Sequence, residues 1–496
     1  MRYGTHKYGT FLYGAETGLP VGAIRWGVIV DWDNDGKYTG ENEAIYLTDL
    51  KVRRGRQFML QGEGGFENVV PGKLNLTLDN STRRYDPYNS SGPLFNLLLP
   101  GRRIQLIAAV DTFRYVLFTG RITDIKPVGF GAKSFVTISA EDGIAELQKF
   151  EPKLSILEAV NFQEILSEIL ASVDWEYGFS ADGFADYVAY FSASENASSW
   201  QVITELANAN LAFVFCDGNN KLIAIPRTRS DTAKYTWTQA QFEKEIQLSM
   251  PWDTARNVFR VVHTSFKETS IRRLFTLLEP LYLGAGKSTR IVAKYSLEAD
   301  GEVLGKNVSV TVRGNKLPDE SGTELNFSRI FVETPRFTEI FVFNNTSSDG
   351  YITQLTVDGT AIYLEQQYEL TDENQSSINM YGKKRFSLET EYVQYSALGE
   401  EILRVTRLFF ENSLVEIHLE ALGLNLLGIE LGDIVNFSIS VYGMSGKFHI
   451  AQIEHQWSFS TGQTVRTRIK LERFPFLTFQ PWKFPAQIGV NTRFST

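Results

Sequence analysis

Apolar and polar positions alternate with a period of two over long reaches of this chain, the mark of strands with one buried face. Leu74, Leu76 and Leu78 alternate with Asn75, Thr77 and Asp79. Further runs of strand character occupy 104–110, 115–125 and 134–140, with turn residues between them. Strands at this spacing predict a small β-barrel or sandwich over 21–150. Near the far end, Val415, Ile417, Leu419 and Ala421 alternate with Glu416, His418 and Glu420. Val465, Thr467, Ile469 and Leu471 likewise alternate with Arg466, Arg468, Lys470 and Glu472. These two strands predict a second barrel over 401–475, with charged outer faces.

The period changes at Pro152. Ser155-Ile-Leu-Glu158 has the form of a capping box, and Ile165, Leu166, Ile169 and Leu170 supply the apolar stripe of a helix. A second helix is expected from near Ser199, with Ile203, Leu206 and Ala207 facing inward. A strand over 211–216, the turn Asp217-Gly218-Asn219-Asn220 and a strand over 221–225 complete an α+β module at 151–240. Residues 241–400 are again β in character, with turns such as Asn344-Asn345 and Asp349-Gly350, and read as a sandwich-like elaboration. Three Tyr-Gly pairs mark 1–20 as an arm, and a Phe- and Pro-containing tail covers 476–496. The expected class is mainly β and multidomain, with two small barrels, an intervening α+β module and a β-rich elaboration.

Composition narrows the function. At 496 residues the chain exceeds one core, and about 150 residues per domain gives about three. The net charge of −9 argues against a protein that grips nucleic acid, which needs clustered Lys and Arg. It leaves room for a smooth channel that nucleic acid only passes through. Cys216 is the single cysteine, so no internal disulfide forms, and its run Leu211-Ala-Phe-Val-Phe-Cys216 places it as a buried small hydrophobe. No apolar segment reaches the ~18 residues of a membrane span, and the start has no signal-peptide core. Folding in the cytoplasm of the producing cell and no membrane anchor are therefore expected.

The sharpest local motif is Asp31-Trp-Asp33-Asn-Asp35-Gly36. Alternate carboxylates on a tight loop can converge on one calcium ion, with Gly36 allowing the turn. The bidentate Glu that an EF-hand requires at its twelfth position is Asn42 here, between Glu41 and Glu43, and the flanks look like strands. Two readings stand: a single calcium held by Asp31, Asp33 and Asp35, or an acidic solvated hairpin turn. Gly284-Ala-Gly-Lys-Ser-Thr289 imitates a P-loop, but Leu281 sits where the first Gly belongs and a strand pattern follows, so no helix N-terminus is there to cradle phosphate. His449 and His455 would lie on one face of one strand, six residues and so ~20 Å apart, too far to share an ion. No zinc-hydrolase or acyl-transfer motif occurs. Arg466, Arg468 and Lys470 could meet phosphate, although a charged solvent face is the commoner role.

Three passages in order resemble the tail-tip and baseplate hub proteins of long-tailed phages and related contractile systems. The first contains Val30-Asp-Trp-Asp-Asn-Asp-Gly36, Lys51-Val-Arg-Arg-Gly-Arg56, Leu76-Thr-Leu-Asp-Asn80, Arg84-Tyr-Asp-Pro-Tyr-Asn89, Pro93-Leu-Phe-Asn-Leu-Leu-Leu-Pro-Gly-Arg102 and Leu117-Phe-Thr-Gly-Arg-Ile122. The second is the α+β module with its hairpin from Phe213 to Arg227. The third runs from Ser377-Ile-Asn-Met-Tyr-Gly-Lys383 through Leu431-Gly-Asp-Ile-Val435 to Phe448-His-Ile-Ala-Gln-Ile453. The resemblance implies a structural virion protein at the distal end of a tail, not an enzyme. It implies a homotrimer whose paired barrels match a sixfold tail tube to a threefold tip. Implied partners are the tail tube or distal tail ring, the tape measure protein and central fibre or tip proteins, with DNA only in passage. Two other functions remain open: a receptor-binding protein that takes host glycan through 241–400, and a tail-associated cell-wall hydrolase.

Overall fold

The computed structural model describes residues 24–473 apart from 38–41, 57–65, 67–68, 130, 185, 228–231, 243–244, 251, 298–300, 441–443 and 461–463. The expected arm at 1–20 and tail at 476–496 lie outside the described residues. The class is as the sequence implied, mainly β and multidomain, with 52% strand against 14% helix.

The first module is a run of antiparallel strands in the spatial order Ile24–Val30, Arg103–Val110, Phe113–Val128, Phe135–Glu141, Val70–Asp79 and Leu47–Gly55. Leu74, Leu76 and Leu78 are fully buried, as their alternation requires, and share a core with Val28, Leu106, Phe118 and Ile138. Each strand end pairs where the pleat puts like faces together, so one apolar face is continuous.

The module does not close by a continuous ladder. Between the edge strand Ile24–Val30 and the segment leading to Leu47–Gly55, one bridge, Ile29 to Asn42, spans the gap. Strand Leu47–Gly55 spends its second edge on Met444–Ser458, in the register Asp49 to Ser458 through Gly55 to Gln452. Strand pairing thus runs on from the strands of the first module, the first sheet, into those of the second module, the second sheet, through twelve strands in all. The physical reason is the length of Met444–Ser458, 15 residues. Its first part pairs along one edge with Ile434–Ile439, and the rest of the same edge takes Leu47–Gly55. Its other edge carries Arg466–Arg473, followed by Glu416–Leu422 and Glu245–Ser249. Tyr235–Thr238 adds in parallel to Ile434–Ile439. The second module therefore recruits strands from well before residue 401.

The α+β module packs between these sheets. Its first helix is Phe162–Ser172, later than the Ser155 signature suggested. Leu157–Asn161 is a strand paired with Tyr187–Phe191, so tertiary pairing overrides the local cap signal. The working capping box is Asn161 and Glu164: the Asn161 side chain accepts from the Glu164 N–H at 3.0 Å, and Glu164 accepts from the Asn161 N–H at 2.8 Å. The second helix, Ser199–Ala209, is capped by Ser198. The hairpin Ala212–Cys216 with Leu222–Pro226 follows. Its turn presses on the first sheet at Gly218, where a Cβ would stand 1.9 Å from the Val116 carbonyl oxygen, so only glycine fits.

Residues 258–389 contribute to two separate apolar cores. Val258–Thr276 and Gly350–Glu373 form a long antiparallel ribbon. Its distal half, with Leu304–Asn315, faces a small sheet of Ser288–Lys294, Phe337–Phe343 and Ser328–Glu333 across a separate apolar core that includes Val310, Leu355, Ile340 and Val342. Its proximal half, with Arg385–Glu389 in parallel, puts Phe259, Val261 and Phe386 into the core shared by the α+β module and the second sheet. The helix Ser396–Phe410 covers that end, burying Leu398, Ile402, Val405 and Phe409 in the i, i+4, i+7, i+11 stripe of an amphipathic helix. Among the described residues no helix is long and apolar enough to cross a membrane.

Candidate functional site

The Asp31–Asp35 loop follows directly from strand Ile24–Val30. Asn34 and Gly36 take positive φ, 62° and 82°, which folds the acidic residues over one another. Ligand atoms of Asp31, Asp33 and Asp35 come within 4.8 Å of one another. Asp31 is buried, and its two carboxylate oxygens accept the N–H groups of Asp35 and Gly36, each at 3.0 Å. Asp35 accepts from the Lys37 N–H at 2.8 Å and pairs with its ammonium at 3.1 Å, and these bonds lower its pKa. Arg103 donates to the Gly36 carbonyl at 3.3 Å. The loop's own donors thus already face its carboxylates.

Asn42, which stands where an EF-hand would need its bidentate Glu, caps the short turn Glu43–Tyr46: its side-chain oxygen accepts from Ala44 N–H at 3.1 Å and from Val28 N–H at 2.9 Å. Glu43 is the chemically significant residue. Fully buried, it accepts from Trp32 Nε1 at 2.8 Å, from Tyr85 Oη at 2.5 Å and from two Arg84 nitrogens at 2.9 and 3.1 Å. Burial pushes its carboxyl up to about 7, against the Tyr85 and Trp32 bonds. This node ties the Arg84-Tyr-Asp-Pro-Tyr-Asn89 segment to the first sheet.

Two buried ionic seams join the modules. Arg54, on Leu47–Gly55, donates to both Glu430 oxygens at 2.5 and 3.2 Å and to the Cys216 carbonyl at 3.3 Å. First sheet, α+β hairpin and second sheet meet there. Arg56 is wholly buried and ion-pairs with Glu472, its guanidinium 4.9 Å above the Phe213 ring. Glu472 also faces His449 at 3.4 Å and Lys470 at 3.3 Å, and Lys470 reaches Glu416 at 2.8 Å. Burial alone would raise the Glu472 pKa, but Arg56, His449 and Lys470 override it and hold the carboxyl well below its usual range. Such closed networks fix one relative placement of the parts they join.

The remaining sequence candidates take structural roles. Lys470 is not on a solvent face; it is buried in this seam, because the strand end is covered by the α+β module. Arg466 and Arg468 pair with Glu420, and Arg468 also with Glu454. Gly284–Lys287 form a turn between strands Leu281–Leu283 and Ser288–Lys294. There the Ala285 N–H donates to the Asp349 carboxylate at 2.8 Å, a group that would repel phosphate. Cys216 is buried, and burial holds its thiol well above its ordinary pKa.

His449 and His455 lie on one strand but meet different partners, with a register shift between Ile450 and Gln452. His455 Nδ1 stands 2.9 Å from the Thr467 hydroxyl, and burial, helped by Arg54, lowers its pKa to about 3. Unfolded, the imidazole takes a proton below about pH 6.5. Between pH 6.5 and 3 the unfolded state therefore binds more protons, and stability falls by ~1.4 kcal/mol for each unit of acidification. Burial pushes Asp142, like Glu43, up to about 7, which shifts stability in the opposite sense over pH 7 to 4. Comparison with His455→Gln isolates the imidazole: from pH 6.5 to 5 the wild type should lose about 2 kcal/mol relative to the variant in urea unfolding. A pH-independent difference would show that His455 is protonated in the fold.

No family model and no curated protein matches the chain. Among solved structures it is similar to the tail protein from Neisseria meningitidis MC58, with TM-score 0.51 and 9% identity over 90% of this chain and 96% of that one. Matches also include the 43 kDa tail protein of prophage MuSo2 from Shewanella oneidensis, with TM-score 0.49, 10% identity and coverage of 91% and 98%. The prophage tail protein gp18 from Listeria monocytogenes EGD-e matches with TM-score 0.43, 10% identity and coverage of 90% and 94%. The likeness to the Neisseria protein is one of fold: this chain has a tail-protein architecture. The hub resemblance carried by the sequence motifs is matched at that level.

Proposed function

We propose that the chain is a structural virion protein that forms a trimeric hub at the distal end of a phage tail, matching the sixfold tube to the threefold tip and enclosing the channel for tape measure protein and DNA. The observation that carries this reading is the likeness in fold to a tail protein along nearly the whole of both chains. Two sheet modules in each subunit, joined through Met444–Ser458, support it, because a trimer of such subunits offers six modules to a tube. The Arg54 and Arg56 seams suit a part that must hold its modules in fixed register. Its partners would be the tail tube or distal tail ring, the tape measure protein and central fibre or tip proteins, through surface contacts and not catalysis. Native mass spectrometry and electron microscopy of the full chain with purified tail tube test it. A trimer seated on the tube end is expected, and a monomer or a hexamer overturns the reading.

The same proposal treats Asp31–Asp35 as an acidic turn closed by its own donors, since each Asp31 oxygen accepts a backbone N–H and Asp35 pairs with Lys37. Calcium a hundredfold above its dissociation constant would add about 2.7 kcal/mol of stability. Millimolar calcium against chelator is expected to leave the unfolding midpoint unchanged. A rise that disappears in Asp33→Asn would place the ion in the loop.

A further inference from the structure

Beside the first seam an open cleft of about 500 Å³ lies between the first sheet, the short helix Ile144–Leu147 and the end of helix Phe162–Ser172. The last of these ends in a Schellman turn: the Asp174 N–H returns to the Ala171 carbonyl at 3.3 Å and the Trp175 N–H to that of Leu170 at 3.0 Å. Asp174 takes φ 54°, a position usually given to glycine. The chain thereby keeps a carboxylate at the rim despite the backbone cost. The same turn aims Trp175 into the cleft. Its ring lies on Gly143, where a Cβ would come within 2.2 Å of it, and its Nε1 donates to the Gly178 carbonyl at 2.9 Å. Tyr177 stands edge-on to it at 5.1 Å, and Phe150 is half exposed across the cleft. The aromatic wall is therefore rigid, with the indole's polar edge already satisfied.

The charged wall is largely self-neutralised. Arg121 bridges Glu146 at 2.7 Å and Glu176 at 3.3 Å, and Arg103 takes the other Glu176 oxygen at 2.6 Å. Lys153, Glu151 and Asp174 line the same cleft, so its charged side chains are two positive and four negative, a balance that turns away anionic ligands. A fixed apolar ring wall facing a dense set of mostly paired donors and acceptors suits an uncharged ligand with C–H faces and many hydroxyls. We infer that the cleft walled by Trp175, Tyr177, Phe150, Arg121 and Asp174 is a binding site for a neutral saccharide. It lies in the α+β half of the molecule, away from the sandwich of 258–389, and holds whether or not the chain is a trimeric hub.

The full-length protein should be screened on an array of neutral, acidic and amino oligosaccharides, and each hit measured by calorimetry at low and physiological salt. Saturable binding of a neutral sugar is expected, with affinity insensitive to salt because no ion pair forms. Trp175→Ala and Asp174→Asn should each weaken it by about tenfold or more. Tyr282→Ala, on the distant sandwich, should leave it unchanged. Asp174→Asn tolerates the same positive φ, so it reports on the site even if Trp175→Ala unfolds the turn. Absence of any neutral-sugar hit, or a hit indifferent to both variants, overturns the inference. Steeply salt-dependent binding of an oligolysine peptide, lost in Asp174→Asn, overturns it in favour of a basic protein segment.

Discussion

Arg56→Met is expected to destabilise the full chain by about 3–5 kcal/mol, the cost of stranding a buried charge. Glu472 loses its principal counter-ion while staying buried, with His449 and Lys470 as its remaining partners. Lys470 is already shared with Glu416 at 2.8 Å, so it cannot follow Glu472 freely. The Phe213 ring loses the nearer of its two guanidinium neighbours, keeping Arg227 at 5.6 Å. The double variant Arg56→Met/Glu472→Leu should recover at least half of the loss, because a buried ion pair replaced by apolar groups is often nearly neutral. Urea unfolding of wild type, the single variant and the double variant separates these outcomes. A single variant within about 1 kcal/mol of wild type would show that the seam is solvated and does not brace the modules.

The strands were legible because burial on one face writes itself into the sequence at period two, as Leu74, Leu76 and Leu78 show. The same rule misread Lys470. Period two reports which face a side chain takes, but not whether a second layer covers that face, and the α+β module covers it here. The Ser155 cap signature failed for a related reason: it is local, and pairing with Tyr187–Phe191 outweighed it. The link between the two modules was not legible, because the decisive pairing, Leu47–Gly55 with Met444–Ser458, joins opposite ends of the chain. The seams were hidden by the same separation. Arg56 and Glu472 are 416 positions apart, and no spacing rule links them. What signal existed lay in Lys51-Val-Arg-Arg-Gly-Arg56, where arginines fall within a strand otherwise bound for the interior. Glu43 had a weaker signal, visible only as the flank of a calcium position that the structure turns into a cap.

Glu43→Ala is expected to cost about 3–5 kcal/mol, taking ~1–3 kcal/mol for each buried donor left unsatisfied. Trp32 Nε1, Tyr85 Oη and Arg84 all converge on this one carboxylate, so a single truncation removes an acceptor from three side chains at once. Glu43→Gln should cost far less. Its oxygen can still accept from Trp32 and Arg84, and its amide can donate to the Tyr85 oxygen. The damage should also be local. Tyr85 N–H is held by the Asn80 side chain at 2.9 Å, and its hydroxyl meets both Glu43 and Arg84, so Glu43 anchors the aromatic end of the segment directly and through Arg84. Loss of that anchor frees the non-strand excursion 81–102, which displays Tyr88 and Leu99 at 90% and 51% exposure. Hydrogen exchange should therefore show 81–102 losing protection in Glu43→Ala while strand Val70–Asp79 keeps it. Uniform loss over the whole first sheet would mean instead that the node supports the core and not the excursion.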